Sequence, residues 1–124
     1  MDTDWSELER RIEREIKQDS SRILKCNGIE RRRVTSNNNH KIGMQTGSRP
    51  NQTKAITYEM VEFAFNTLLS KGRFDSKDFR KRFDAKYRAG PCRFSMTGGI
   101  LVELGVAKIV PAEKEEDCCY MRTP

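Results

Sequence analysis

Apolar residues first recur along the chain at Trp5, Leu8, Ile12 and Ile16, at spacings of three and four, and Ile23 continues that face weakly across Asp19. This period predicts an amphipathic helix with one stripe to bury. Asp4 caps it, and Glu7 stands three residues on, the spacing of a capping box. On the exposed faces Glu9–Glu13 and Arg10–Arg14 repel at i,i+4, whereas Glu13–Lys17 attracts. A lone helix of about 20 residues is marginal in water, so the stripe needs something to lie against. Two answers stay open. The helix packs back on the rest of the chain, or Trp5, Leu8, Ile12, Ile16 and Ile23 form a seam with a second copy or a protein partner.

The pattern then breaks. Asn27-Gly28 is a turn signal, and Ser36-Asn37-Asn38-Asn39 followed by Gly43, Gly47 and Ser48-Arg49-Pro50 is loop composition. Val34, Ile42 and Met44 are the only clear apolar residues between Arg31 and Lys54. A weak hairpin around the Asn run, Glu30–Thr35 against His40–Thr46, is one reading; a mobile arm over 27–54 is the one the composition favours.

From Ala55 the helical period returns. Thr57 caps a helix whose stripe is Val61, Ala64, Phe65 and Leu68, and Gly72 ends it. Phe74 marks a short bridge of strand. Asp75 or Ser76 caps a second helix with Phe79, Phe83 and Tyr87 on one face, and Ala89-Gly90-Pro91 is a turn. Ser95 caps a third helix through Leu104, with Met96, Ile100, Leu101 and Leu104 inward and Gly105 closing it. After Gly105 the period changes to two, so Val106–Val110 and Cys118–Arg122 read as a hairpin. The expected fold is mainly α with a small β-hairpin. It divides into an N-terminal amphipathic helix (1–26), a basic flexible arm (27–54) and a helical domain with a hairpin (55–122).

Composition sharpens this division. Of 124 residues, 25 are Leu, Ile, Val or Phe, only 8 of them before residue 55, so the second half is the part able to form a core. Nothing approaches 18 consecutive apolar residues, which predicts no membrane span. The acidic start, Met1 to Trp5, does not read as a secretory signal. Those two observations predict an intracellular protein. The net charge of +6 is distributed unevenly. Residues 25–54 carry seven basic groups and one acidic, and residues 71–93 carry nine basic and three acidic; the segments around them are mildly acidic. Two concentrated basic blocks attract polyanions far more than a scattered excess would.

Three helices and a hairpin over 55–122 resemble the winged helix-turn-helix superfamily. The resemblance rests on Thr57–Lys71, Ser76–Tyr87, the Ala89-Gly90-Pro91 turn, Ser95–Leu104 and the run from Leu104 through Gly105 to Val110. It implies duplex DNA binding, with the third helix in the major groove and Arg93, Ser95 and Thr97 at its start near base edges. The hairpin departs from that pattern. Glu113, Glu115, Glu116 and Asp117 crowd its tip, with Lys114 the only offset, and would repel phosphate. Phosphate contacts are expected instead from Lys77, Arg80, Lys81, Arg82 and Arg88 on the second helix, and from Arg31, Arg32, Arg33, Lys41 and Arg49 in the arm. Gly98-Gly99 within the third helix implies a close approach, to the second helix or to a backbone, with helix packing the preferred reading.

No catalytic constellation is legible. Cys26, Cys92, Cys118 and Cys119 lack zinc-knuckle spacing, His40 is the only histidine, and no phosphate-cradling or dinucleotide motif occurs. The expectation is a non-enzymatic protein without metal or cofactor, taking no small-molecule substrate. It binds nucleic acid as a small transcriptional regulator or accessory subunit. The rival is a winged-helix adaptor that meets other proteins through its acidic hairpin and N-terminal helix.

Overall fold

The computed structural model describes residues 4–49 and 51–124; the acidic start at Met1–Thr3, and Pro50 of the loop run, lie outside them. Helix α1 spans Trp5–Glu15, and the Asp4 carboxylate accepts from the Glu7 amide at 2.8 Å. It ends earlier than the apolar period suggests. The Asn37 side chain donates to the carbonyls of Ile12 and Ile16, closing the helix, and Asp19 turns the chain through a positive φ of 63°. Ile23 therefore lies not on the helix but in strand β1, Arg22–Leu24.

The largest departure follows. Strands β2 (Arg31–Asn38), β3 (Lys41–Gln45) and β4 (Thr53–Thr57) join β1 in a four-stranded antiparallel sheet of order β1-β2-β3-β4. The Asn run that reads as loop is the end of β2 and its turn. Asn39 and His40, with φ of 51° and 59°, occupy the two left-handed positions of a tight hairpin loop, which Asn tolerates well. A bulge between Val34 and Ser36 sends both the Thr35 and Ser36 hydroxyls to the outer face. Gly43 makes room for them, since a Cβ there would lie 2.8 Å from Thr35 Oγ1 and 2.6 Å from Ser36 Oγ. The inner face carries Ile23, Arg32, Val34, Ile42, Met44 and Ile56, all buried.

Helix α2 (Tyr58–Lys71) follows directly, capped by the Thr57 hydroxyl accepting from the Met60 amide and closed by Gly72 at φ 78°. Strand β5 (Arg73–Asp75) leads to α3 (Ser76–Arg82), opened by a full capping box between Asp75 and Asp78. The expected second helix is in fact two. Phe83, at φ −127° and ψ 50°, breaks it, and α4 (Asp84–Arg88) resumes. Helix α5 spans Cys92–Glu103, beginning three residues before Ser95. Strands β6 (Ala107–Val110) and β7 (Cys119–Arg122) form the hairpin and complete a second sheet, of order β5-β7-β6.

Helix α5 sits between the two halves. Gly98 abuts the Tyr120 ring of β7, and a Cβ on Gly99 would lie 2.8 Å from the Leu24 carbonyl oxygen of β1. One buried cluster runs from Leu8 to Tyr120 and draws on both sheets and on α1, α2, α3 and α5. The mainly α expectation is thus overturned: the chain is α+β, with five helices and seven strands among the described residues, 43% helical and 27% strand. No helix among the described residues is long and apolar enough to cross a membrane.

Candidate nucleic-acid interface

The α3–α4 surface is the strongest of the expected sites. Phe79, Phe83 and Tyr87 turn inward, with ring centroids 5.3 Å apart for Phe79–Phe83 and 6.4 Å for Phe79–Tyr87. Amphipathic geometry then leaves the basic side chains on the solvent side. Lys77, Arg80, Lys81, Arg82, Lys86 and Arg88 are all exposed. Arg80 lies 3.4 Å from Asp84 and over the Tyr87 ring at 5.7 Å; Arg82 lies over the Phe83 ring at 5.0 Å. Arg88 also pairs with Asp84, at 2.9 Å. Lys77, Lys81 and Lys86 have no carboxylate within ion-pair reach among the described residues. Asp78 is already engaged, because the Lys71 ammonium and the Asp75 backbone amide hold it. Burial raises the Asp78 pKa, but these partners outweigh burial and keep it below the ordinary carboxylate range.

Helix α5 offers little to a groove. Ser95 and Thr97 are completely buried. The Thr97 hydroxyl donates back to the Arg93 carbonyl at 2.8 Å, and the Ser95 hydroxyl donates to the Cys92 carbonyl at 3.1 Å. Arg93 is half-buried, and its guanidinium donates to the carbonyls of Ala55 at 3.1 Å and Lys86 at 3.5 Å, tying β4 to α4. The base-edge role expected for these three residues is corrected. The four-stranded sheet packs against the side of α5 that would have to enter DNA.

The arm is corrected as well. Residues 31–38 and 41–45 are strands, with a turn before them and a loop after, and alternation separates the three arginines. Arg31 and Arg33 face out, while Arg32 points inward with only 4% of its side chain exposed. Arg32 donates to Ser95 Oγ at 3.1 Å and to Glu115 Oε1 at 3.2 Å, so it is structural. Glu115 is accordingly withdrawn from the acidic hairpin tip, leaving Glu113, Glu116 and Asp117 exposed there. Lys41 and Arg49 are exposed, at the start of β3 and in the β3–β4 loop. Two cations absent from the expected site, Arg22 and Lys25, join Arg31 and Arg33 around one shallow groove. The missing signal was the pairing of β1 with β2, which no local pattern announces.

The proposed association stripe is occupied within the chain. Leu8, Ile12, Ile16 and Ile23 are at most 1% exposed, and Trp5 packs on Phe65 with ring centroids 6.5 Å apart. Of the two answers open for the N-terminal helix, packing back is the one in the structure. Burial pushes the Cys26 thiol up to about 11 and the Cys118 thiol up to about 12, so both stay protonated at neutral pH. Among the described residues no cluster of three or more His, Cys, Asp and Glu is placed to hold a metal ion. Compared with family models, with curated proteins and with solved structures, the chain matches none.

Proposed function

We propose that this chain is a non-enzymatic nucleic-acid-binding protein that grips the phosphate backbone of duplex DNA with the α3–α4 ridge. The observation that carries this reading is the charge of the ridge. Six cations between Lys77 and Arg88 face solvent against two carboxylates, and three of the cations are lysines with no carboxylate partner among the described residues. The order of α2, β5, α3, α4, α5, β6 and β7 supports likeness to the winged helix-turn-helix plan. Burial of α5 removes that plan's base-reading surface, so the binding is positional and sequence-independent.

Titrating a random-sequence duplex by fluorescence anisotropy across a salt series tests the reading. Each neutralised phosphate contributes about −0.9 to the slope of log K against log salt. Removing the charges in a Lys77→Gln, Lys81→Gln, Lys86→Gln variant should therefore make the slope shallower by about 2.7. An unchanged slope sinks the assignment.

The adaptor reading keeps one specific support. Ile29, 81% exposed, and Val110, 47% exposed, flank the contact between Gly28 and Pro111 beside the acidic turn. Failure of the wild type to bind any duplex at low salt would put that surface first.

A further inference from the structure

We propose that the outer face of the four-stranded sheet is a second phosphate-binding surface. It takes the sugar–phosphate backbone of duplex nucleic acid in the groove formed by Arg22, Lys25, Arg31, Arg33 and Gln45. The proposal rests on the reading above, that the chain binds duplex, and adds a contact on another face of the fold.

The first argument is local. In the β1–β2 register Arg22 stands directly opposite Arg33, and Leu24 opposite Arg31. Like charges directly across an antiparallel pair destabilise it. Folded chains break such local rules mainly at functional or strained sites. Asp19 offsets the repulsion in part through its bond to Arg33, and Glu103 lies 3.8 Å from Arg31. Arg22 and Lys25 have no carboxylate partner among the described residues.

The second argument is preorganisation. Arg22 donates through Nη1 to the carbonyls of Asp19 at 2.8 Å and Ser21 at 3.1 Å. Arg31 donates through Nη1 to the Arg22 carbonyl at 3.2 Å, and Arg33 through Nε to Gln45 Oε1 at 3.3 Å. Arg22 and Arg31 are thus anchored through one terminal nitrogen, whereas Arg33 is held at both Nε and Nη1, by Gln45 and Asp19. The second terminal nitrogens of Arg22 and Arg31 have no protein partner among the described residues. Fixed forks with outward N–H groups match phosphate oxygens and lose little freedom on binding.

The third argument concerns the class of ligand. Residues 31 and 33 project from the same face about 6.6 Å apart, close to the separation of successive phosphates on one strand. The outer face adds the hydroxyls of Thr35 and Ser36 and the exposed Thr53, all able to donate to phosphate or sugar. No aromatic residue lies in β1, β2, β3 or β4, so there is no platform on which unpaired bases stack. A cationic, hydroxyl-bearing, non-aromatic sheet suits a closed duplex read by its backbone.

The test compares three variants of the full chain on a random duplex and on the matching single strand, each over a salt series. Their thermal unfolding is recorded as a control on folding. The sheet variant is Arg22→Gln, Lys25→Gln, Arg31→Gln; the ridge variant is the lysine triple above; the third combines them. The expected result is a slope shallower by about 2.7 for the sheet variant, by about as much for the ridge variant, and by roughly twice that for the combination. If the ridge variant loses slope while the sheet variant keeps wild-type slope and affinity, the second surface is overturned and the proposed function stands. A wild type that binds no duplex overturns both. Tighter wild-type binding to the single strand than to the duplex, lost in the sheet variant, overturns the ligand class.

Discussion

Arg32 and Glu115 join the two halves of the chain through one buried contact, and that contact is only partly satisfied. Arg32 Nη1 and Nη2 have partners in Ser95 and Glu115, but Arg32 Nε and Glu115 Oε2 are buried with none among the described residues. An ion pair in this state is costly to break from one side and cheap to replace as a whole, because a lone buried charge loses both water and its counterion. Glu115 keeps 23% of its side chain exposed, so Glu115→Ala should lower stability by about 2–3 kcal/mol, while Arg32→Met with Glu115→Leu should recover most of that loss. Urea midpoints at constant m-value check both, and equal losses for the single and double variants would disprove the argument. Neither residue announces its role in the sequence. Arg32 is the middle of three identical residues, and Glu115 stands among Glu113, Glu116 and Asp117. Only strand alternation and the turn at Glu115–Asp117 pick out one member of each run.

Among the elements, what was legible followed from how locally each is determined. Most helices announce themselves through a 3.6-residue stripe and caps that act within four residues. Asp4, Thr57 and Gly72 fall where expected, and Asp75, one of two candidates, caps α3. Ser95 instead lies inside α5 and does not cap it. Of the first sheet, the β2–β3 hairpin was legible as the less favoured reading of Glu30–Thr35 against His40–Thr46; β1 and β4 were not, because they are stabilised across the chain. β2 ends in Ser-Asn-Asn, and its bulge shifts the alternation that would betray a strand. The basic ridge was legible because it lies on one helical stretch; the sheet groove was not, because Arg22 and Arg31 meet only through pairing. The α3 capping box gives a pH-dependent test. The folded-state pKa of Asp78 is lowered, so its stabilisation is fully present above the unfolded-state value near 4 and is lost as pH falls through the folded value. Asp78→Asn keeps an acceptor for the Asp75 amide but loses the Lys71 pair and the first-turn charge, so it should cost about 1 kcal/mol at pH 7. The gap from wild type should close as the pH drops below about 4. A gap that persists undiminished at pH 2 would mean that the charge is not what the box uses.

At the scale of the whole molecule, the uneven distribution of apolar residues invites a division that the packing does not respect. The first half has few apolar residues, but Leu8, Ile12, Ile16, Ile23, Val34, Ile42 and Met44 are all completely or almost completely buried, in the same cluster as Phe74, Phe94 and Tyr120. Helix α5 is the element at stake, since it is buried from Phe94 to Leu101 between the two sheets. Without residues 1–54, Gly99 would lose β1, Glu115 would lose its Arg32 partner, and the α5 face toward the first sheet would meet water. A fragment of residues 55–124 should therefore retain helical far-ultraviolet dichroism yet lack a cooperative thermal transition and bind a hydrophobic dye, the behaviour of a chain with secondary structure but no fixed packing. The alternative outcome is informative in a different direction. A fragment that unfolds cooperatively would be an independent domain with the α5 face toward the first sheet uncovered. Such a fragment should then discriminate between duplex sequences where the full chain does not, which anisotropy on two unrelated duplexes at equal salt would register directly.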